Sequence, residues 1–370
     1  MDGSRLLVTG GAGYIGSHVL VALAAAGHRP VALDNFSNGS RRAVEAAESI
    51  CGGKIPLLQG DIRTPGLLQA VFNVYERRHD PIRCVVHLAG CKAVGESVAN
   101  PLKYYDNNVH GTTILLCAMQ ECGVRKLVFS SSATVYGAPR VLPITETHPF
   151  SPANPYGRSK RFVEMMCEDL CAAHEDWGVV SLRYFNPIGA HSSGNLGECP
   201  QDEPANLFPY ITQVAVGRRK RLTIFGNDYD TPDGTGVRDY LHVMDLARGH
   251  LKAVHYLLKR PGMLAVNLGT GQGTSVLQLI SAFERVSGKS VPCAMHGRRP
   301  GDIASMWADP ARAWQALGWR AELDLDRMCA DGWRWQSQNP LGYDTGVAPR
   351  AVPPRRAGHA TPINGQRRPA

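Results

Sequence analysis

The sequence predicts an α/β protein, with a doubly wound parallel sheet and a smaller mixed α/β substrate domain packed over its strand ends. Three observations carry that expectation. An apolar strand runs into a glycine-rich turn and then a helix within the first 25 residues. Short apolar strands then alternate with helical stretches as far as residue 185. Beyond residue 186 the alternation gives way to shorter mixed elements. Strict βαβ alternation calls for parallel strands covered on both faces. A chain of 370 residues with 44% hydrophobic content is long enough for one large elaborated domain or for two. The expected division is residues 1–185, residues 186–340 with some chain crossing back, and a tail at 341–370.

The first strand is Arg5-Leu-Leu-Val-Thr9, followed by Gly10-Gly-Ala-Gly-Tyr-Ile-Gly16 and the helical Ser17-His-Val-Leu-Val-Ala-Leu-Ala. Strand, glycine turn and helix stand in the order that a dinucleotide-binding, Rossmann-type fold requires. Gly10 and Gly11 permit the tight turn, Gly13 lets backbone approach a pyrophosphate, and Gly16 lets helix pack on strand. The helix N-terminus then faces the phosphates. The second strand, Pro30-Val-Ala-Leu-Asp34, ends in an acid 24 residues after Gly10. Asp34 at that place binds ribose hydroxyls and repels a 2′-phosphate, which favours NAD over NADP.

Further strands are expected at Pro56-Leu-Leu, Cys84-Val-Val-His-Leu-Ala, Leu127-Val-Phe-Ser and Val179-Val-Ser-Leu-Arg-Tyr-Phe. Asp61-Ile62 and Leu88-Ala-Gly90 fall in loops that would border the cofactor. Two helices, Leu102 to Gln120 and the one beginning near Tyr156, are apolar around much of their circumference. A second buried face on each predicts helix pairing between subunits, hence a homodimer.

Composition excludes several classes. No run of about 20 apolar residues exists, so no membrane span is expected. Met1-Asp-Gly-Ser-Arg5 leads straight into the first strand, leaving no room for a signal peptide. The ten cysteines lack metal-ligand spacing and read as reduced thiols of a cytoplasmic protein with no metal. About half of the +8 net charge sits in the Pro/Arg/Gly-rich segment after Leu341, which reads as a disordered, solvated tail and not as a nucleic-acid-binding arm.

The chemistry gathers at Ser151-Pro-Ala-Asn-Pro-Tyr-Gly-Arg-Ser-Lys160. Pro152 and Pro155 hold the chain extended before the helix starts. Tyr156 and Lys160 lie at i and i+4 on one helix face. An ammonium there favours the phenolate, making Tyr156 a usable base near neutral pH. Leu127-Val-Phe-Ser-Ser-Ser132 is a strand running into serines, and the carboxyl ends of parallel strands are where ligands are handled. Ser132 can then donate to the oxygen that Tyr156 deprotonates. Serine, tyrosine and lysine in this order resemble the short-chain dehydrogenase/reductase superfamily, which implies a hydride-transfer site.

Longer stretches narrow the resemblance: Thr9-Gly-Gly-Ala-Gly-Tyr-Ile-Gly16, Lys92-Ala-Val-Gly-Glu-Ser97, Tyr104-Tyr-Asp-Asn-Asn108, Ser130-Ser-Ser-Ala-Thr-Val-Tyr-Gly137, Leu182-Arg-Tyr-Phe-Asn-Pro187, Ile224-Phe-Gly-Asn-Asp-Tyr229 and Asp233-Gly-Thr-Gly-Val-Arg-Asp-Tyr240. Together, over about residues 4–342, they resemble the UDP-glucose 4-epimerase family of the extended short-chain group. The resemblance implies NAD held by Gly10, Gly13, Tyr14, Ile15, Gly16, Asp34, Asn35, Asn38, Asp61, Ile62, Leu88, Ala89, Gly90, Lys92, Asn107, Ser132, Tyr156, Lys160 and Phe185. It implies UDP-galactose or UDP-glucose held by Lys92, Ser132, Tyr156, Asn186, Asn206, Leu207, Phe225, Arg238, Arg299, Asp302 and Met306. Phe225 would stack on uracil, Arg238 and Arg299 would neutralise the diphosphate, and Asp302 would accept from ribose hydroxyls. The implied reaction is a transient oxidation at sugar C4, rotation of the 4-keto sugar and return of hydride to the other face. Methionine at 306, flexible and intermediate in bulk, implies at best weak use of UDP-N-acetylgalactosamine.

Two alternatives belong to other classes. A nucleotide-sugar 4,6-dehydratase resembles this chain through the first oxidation, but carries Asp-Glu where Ala133 and Thr134 stand here. A non-enzymatic dinucleotide sensor on the same fold could dispense with the catalytic tyrosine, which this chain keeps.

Overall fold

Residue-by-residue alternation builds the sheet. In strand β1 (Arg5–Thr9) Leu6 and Val8 point into one apolar cluster and Leu7 into another. The same split recurs in β2 (Arg29–Asp34), where Ala32 faces one side and Val31 and Leu33 the other. The period-two pattern places successive side chains on opposite faces. Both faces are apolar, so both must be covered. The computed structural model describes residues 3–201, 203–299 and 301–343.

With β3 (Leu57–Gln59), β4 (Ile82–His87), β5 (Lys126–Ser132) and β6 (Gly178–Tyr184), these strands form a parallel sheet. A seventh strand, β11, joins it after the chain has passed through β7 (Asn186–Ile188), β8 (Leu222–Phe225), β9 (Val237–Arg238) and β10 (Tyr240–His242). Strand β11 is Gly262–Leu268, and the sheet order is β11-β6-β5-β4-β1-β2-β3. Helices α1 (Tyr14–Ala25) and α2 (Arg41–Cys51) cover one face. Helix α3 (Leu67–Arg77) lies on the other. The chain winds outward from β1 through β2 and β3, then resumes at β4 on the opposite side of β1. That reversal opens a crevice at the carboxyl ends of β1 and β4, the place where such sheets take ligands.

The helical stretch expected from Leu102 to Gln120 is present but not regular. After α4 (Val94–Ala99) and α5 (Pro101–Tyr104) it widens into a π-helical segment, Tyr105–His110, before α6 (Gly111–Glu121). A π turn inside a helix often marks a functional site. Here it directs Asn107 and Asn108 at the loop after β4, where both side-chain oxygens accept from the Cys91 amide at 3.2 and 2.8 Å.

Helix α7 (Pro155–Ala173) begins as its sequence dictates. Pro155 occupies the first turn, and the Asn154 side chain caps it by accepting from the Gly157 amide at 2.9 Å. Its Val163 and Cys167 join Leu115 and Met119 of α6 beneath β5.

Beyond residue 186 the elements are short. β7 pairs with β10, and β8 with β13 (Cys293–His296). β9 pairs with β12 (Thr274–Ser275) and β14 (Ser305–Met306). Helices α8 (Leu207–Ala215), α10 (Val276–Ser287) and α12 (Leu325–Gln338) enclose a separate cluster around Phe208, Ile211, Leu279, Phe283 and Met328. Helix α9 (Val243–Leu257) returns to pack on α1, and α11 (Ala311–Leu317) packs beside it. Strand β11 lies beside β6 in the main sheet. Tyr343 packs against Trp335 with ring centres 4.7 Å apart; the rest of the expected tail, residues 344–370, lies outside the described residues.

No helix among the described residues is long and apolar enough to cross a membrane. A demanding contact of the glycine turn is at Gly16. A Cβ there would sit 2.0 Å from the Gly10 carbonyl oxygen, so no side chain fits without moving the turn. Gly16→Ala should therefore lose about 2 kcal/mol or more in urea unfolding. Gly53→Ala, where a Cβ meets nothing within 4 Å, should stay within about 0.5 kcal/mol of the native protein.

Candidate active site

Ser132 is the last residue of β5 and Tyr156 the second of α7, and both are buried at 7% and 8% exposure. The Ser132 hydroxyl accepts from the Thr134 amide at 3.2 Å and from the Thr134 hydroxyl at 3.0 Å. Its own proton is then directed elsewhere. Lys160, also buried, donates from Nζ to the Ser130 carbonyl at 2.8 Å. Its Nζ stands 5.1 Å from the Phe129 ring centre and 5.9 Å from that of Tyr156. Tyr104 meets Tyr156 edge-on, centres 6.4 Å apart. Three residues expected from sequence thus share one buried corner at the carboxyl end of β5.

The electrostatics of that corner correct one expectation. Sequence spacing suggested that Lys160 would depress the Tyr156 phenol toward neutrality. Burial instead raises it, with the Ser132 hydroxyl pulling back down. The cause is desolvation of the enclosed phenol. Burial also lowers Lys160 to about 8, opposed by the Cys91 sulfur and the Glu164 carboxylate. At neutral pH the ammonium is still charged.

The glycine turn lies next to this corner. Gly10, at φ +70°, closes on the loop after β4 so tightly that a Cβ would fall 2.7 Å from the Ala89 nitrogen and 2.9 Å from the Leu88 carbonyl carbon. Gly13 starts α1 with no side-chain cap, leaving the first-turn amides of Tyr14, Ile15 and Gly16 to an outside acceptor. The Tyr14 side chain turns away, donating to the Gly189 carbonyl at 2.7 Å. Asp34, buried at the end of β2, accepts from the Ala12 and Phe36 amides at 2.9 and 2.8 Å. Burial is the main cause raising its carboxyl. Asn35 donates to Asp61 at 2.9 Å, and Asp61 is held well below the usual carboxylate range by Arg63. Asn38 and Gly90 are exposed, Ile62 is buried, and Leu88 and Ala89 are half-buried. A Cβ on Gly90 would stand 3.2 Å from Asn108 Oδ1 and 3.6 Å from Lys160 Nζ. An uncapped helix end, a backbone approach free of side chains and an acid one strand over fit a dinucleotide.

The residues expected to hold nucleotide and sugar fall into three groups. Arg299 lies with its guanidinium carbon 4.6 Å from the half-exposed Phe225 ring and donates to Asp302 at 3.1 Å. The buried Tyr229 senses Asp302, Arg298, Arg238 and Arg299 together, which places Arg238 in the same neighbourhood. Met306 is buried in a second place, one cluster with Phe185, Ala133, Tyr136 and Ile144. Lys92 reaches across to Glu198 at 3.1 Å, and Asn206 donates to the same oxygen at 3.3 Å. Leu207 follows Asn206 as the first residue of α8. Asn186 opens β7, its amide donating to the Asp239 carbonyl at 3.0 Å.

Four residues of the site escaped sequence reasoning. Asn108, 3% exposed, donates to the Cys91 carbonyl and the Ser159 hydroxyl, both at 3.0 Å. Glu198 joins Lys92 to Asn206. Glu164 and Arg183 form a buried pair behind Lys160. The available signal was polarity out of place: paired asparagines inside a helix, and one arginine inside the apolar strand Leu182-Arg-Tyr. Among the described residues no cluster suited to a metal ion occurs.

Comparison with known proteins gives one consistent result. A family model described as GDP-mannose 4,6 dehydratase matches residues 7–332. The UDP-glucose 4-epimerase of Dictyostelium discoideum is 53% identical over 340 residues, covering 92% of this chain and 97% of that one. The human UDP-glucose 4-epimerase is 52% identical over 348 residues, covering 92% and 99%. The crystal structure of the Bifidobacterium longum UDP-glucose 4-epimerase in complex with NAD+ and UDP superimposes with a TM-score of 0.88 at 49% identity, covering 92% of this chain and all of that one. Sharing about half its residues with these proteins along nearly their whole length, and the serine–tyrosine–lysine corner of the extended short-chain dehydrogenase/reductases, this chain belongs to the UDP-glucose 4-epimerase family.

Proposed function

We propose that this protein interconverts UDP-galactose and UDP-glucose by oxidising and re-reducing the sugar at C4. The observation that carries the reading is the buried corner of Ser132, Tyr156 and Lys160 beside the β1/β4 crevice. Gly10, Gly13, Gly16 and the first-turn amides of α1 would hold the pyrophosphate of NAD, and Asp34 a ribose. Bound there, NAD supplies an acceptor that takes hydride from C4 and gives it back. Tyr156, as phenolate, takes the proton of the sugar 4-hydroxyl while Ser132 donates to the same oxygen. Lys160, charged at neutral pH, favours the phenolate form that Tyr156 needs in order to act as the base. Phe225, Arg238, Arg299 and Asp302 hold the nucleotide, with Arg pairing the diphosphate. Asn186, Asn206 and Lys92 would meet the diphosphate and sugar. Residues 1–185 supply the cofactor site and 186–340 most of the substrate site. All ten cysteines are free thiols, in keeping with a cytoplasmic setting.

The name of the matching family model raises dehydration as a second outcome of the first oxidation. Elimination needs an acid and a base at C5 and C6. Ala133 and Thr134 follow Ser132 here, so those positions supply no carboxylate.

Purified protein given UDP-galactose deuterated at C4, with no added NAD, should form UDP-glucose that keeps deuterium at C4. Loss of label to solvent, or a 4-keto-6-deoxy product, would overturn the reading. Tyr156→Phe should cut turnover about 100-fold or more.

A homodimer is part of the same proposal. Helices α4, α5 and α7 pack together, and on their outer side Val98, Leu102, Phe162 and Met165 are 64%, 76%, 45% and 45% exposed. A second copy of these helices would cover the face. Sedimentation should give a dimer for the native chain and a monomer for Leu102→Glu with Phe162→Glu; a native monomer would end the proposal.

A further inference from the structure

Behind the reacting corner lies a buried charge pair, Glu164 and Arg183. Glu164 is fully buried on α7, one turn beyond Lys160 and two beyond Tyr156. Its Oε1 accepts from the Ser131 hydroxyl at 2.7 Å, and Ser131 is the neighbour of Ser132. Arg183, 3% exposed on β6, grips both oxygens, from Nε at 2.8 Å and Nη2 at 3.0 Å. Arg161 adds a longer contact at 3.3 Å. Arg183 in turn donates to the Tyr136 hydroxyl at 3.0 Å, which donates to Asn267 at 2.7 Å. One carboxylate thus fastens α7, β5 and β6 to one another, two elements of which carry the reacting groups.

An ion pair this deep costs desolvation that an apolar pair would not. Its geometry offers what an apolar pair could not. The groups facing Lys160 are His87 from β4, Cys91 from the following loop, Tyr156 and Glu164 from α7, and the Ser130 carbonyl and Phe129 ring from β5. His87 is neutral, lowered to about 3 by burial and by Lys160 itself. The Cys91 thiol is raised by burial and keeps its proton. The Tyr156 phenol is raised likewise. Glu164 is the carboxylate among them, and it acts on Lys160 beside the Cys91 sulfur.

We propose that Glu164, clamped by Arg183 and Ser131, is a positioning residue of the hydride-transfer site: it fixes Ser132 against Tyr156 and supplies the negative charge that keeps the Lys160 ammonium protonated. The proposal rests on the function assigned above to Ser132, Tyr156 and Lys160. The carboxylate touches neither substrate nor cofactor and acts through those three.

The test follows Lys160 directly, by NMR of full-length protein carrying 13C at lysine Cε, with the resonance identified in Lys160→Arg, alongside pH profiles of UDP-galactose turnover. Native Lys160 should titrate near 8. In Glu164→Gln the anion is gone and Arg183 is left unopposed, so Lys160 should lose its proton at lower pH. The alkaline limb of kcat should move with it while KM for UDP-galactose stays put. Glu164→Asp restores the charge and should return the titration toward the native position. Ser131→Ala keeps the charge, so its titration should not move, but kcat should fall about tenfold from misplacement of Ser132. An unchanged Lys160 titration in Glu164→Gln, or an unchanged kcat in Ser131→Ala, overturns the proposal. If Glu164→Gln does not fold, the Glu164→Asp titration and the Ser131→Ala rate decide it. Absence of epimerisation in the native protein would sink the functional reading alone, because the titration would still report on Glu164.

Discussion

A buried ammonium is the constraint around which this site is arranged. Lys160 is 6% exposed, and burying a lone cation in a protein interior is unfavourable enough that the group tends to shed its proton. Each feature around it answers that tendency. The Ser130 carbonyl accepts a hydrogen bond from it at 2.8 Å, and the Phe129 ring presents a π face. The Glu164 carboxylate one turn on supplies negative charge. The outcome is a lysine lowered only to about 8, charged at neutral pH yet close to the edge of losing that charge. Such a group is more responsive to its surroundings than an exposed lysine would be.

The tyrosine is harder to explain by proximity alone. Its phenol is raised by enclosure, and the nearby cation does not overcome that. Under the proposed function, the phenol must lose its own proton before it can act as the base, and the Ser132 hydroxyl would donate to the sugar oxygen. Preorganised donors of this kind act without reorientation as charge develops, which places a premium on the rigidity of β5 and the start of α7.

Much of this was legible in the sequence because it depends on local spacing. The strand–glycine–helix order, the i, i+4 tyrosine and lysine, and the strand ending in Ser132 are patterns within a few residues of one another. Asp34 was legible for the same reason, since βα units have nearly fixed length. What was not legible depends on contacts between distant segments. Asn108 reaches Cys91 through a π turn that no periodicity announces. Glu198 joins Lys92 to Asn206 across about a hundred residues of chain. The upward shift of Tyr156 depends on enclosure by Tyr104 and its neighbours, and spacing carries no information about enclosure.

The placement of the two sets of binding residues bears on how hydride can return to the opposite face. Ser132, Tyr156 and Lys160 are fixed by the main sheet and α7, whose packing leaves little play. Phe225, Arg299, Asp302 and Arg238 belong to small sheets and loops of the second half of the chain, on a separate core. Under the proposed function, a nucleotide anchored on the second set would place no demand on which face of the hexose meets the first. Asn186, Asn206 and Lys92, side chains able to donate, would meet the sugar in either orientation. Tight hold on the nucleotide and loose hold on the sugar would then come from different parts of the fold.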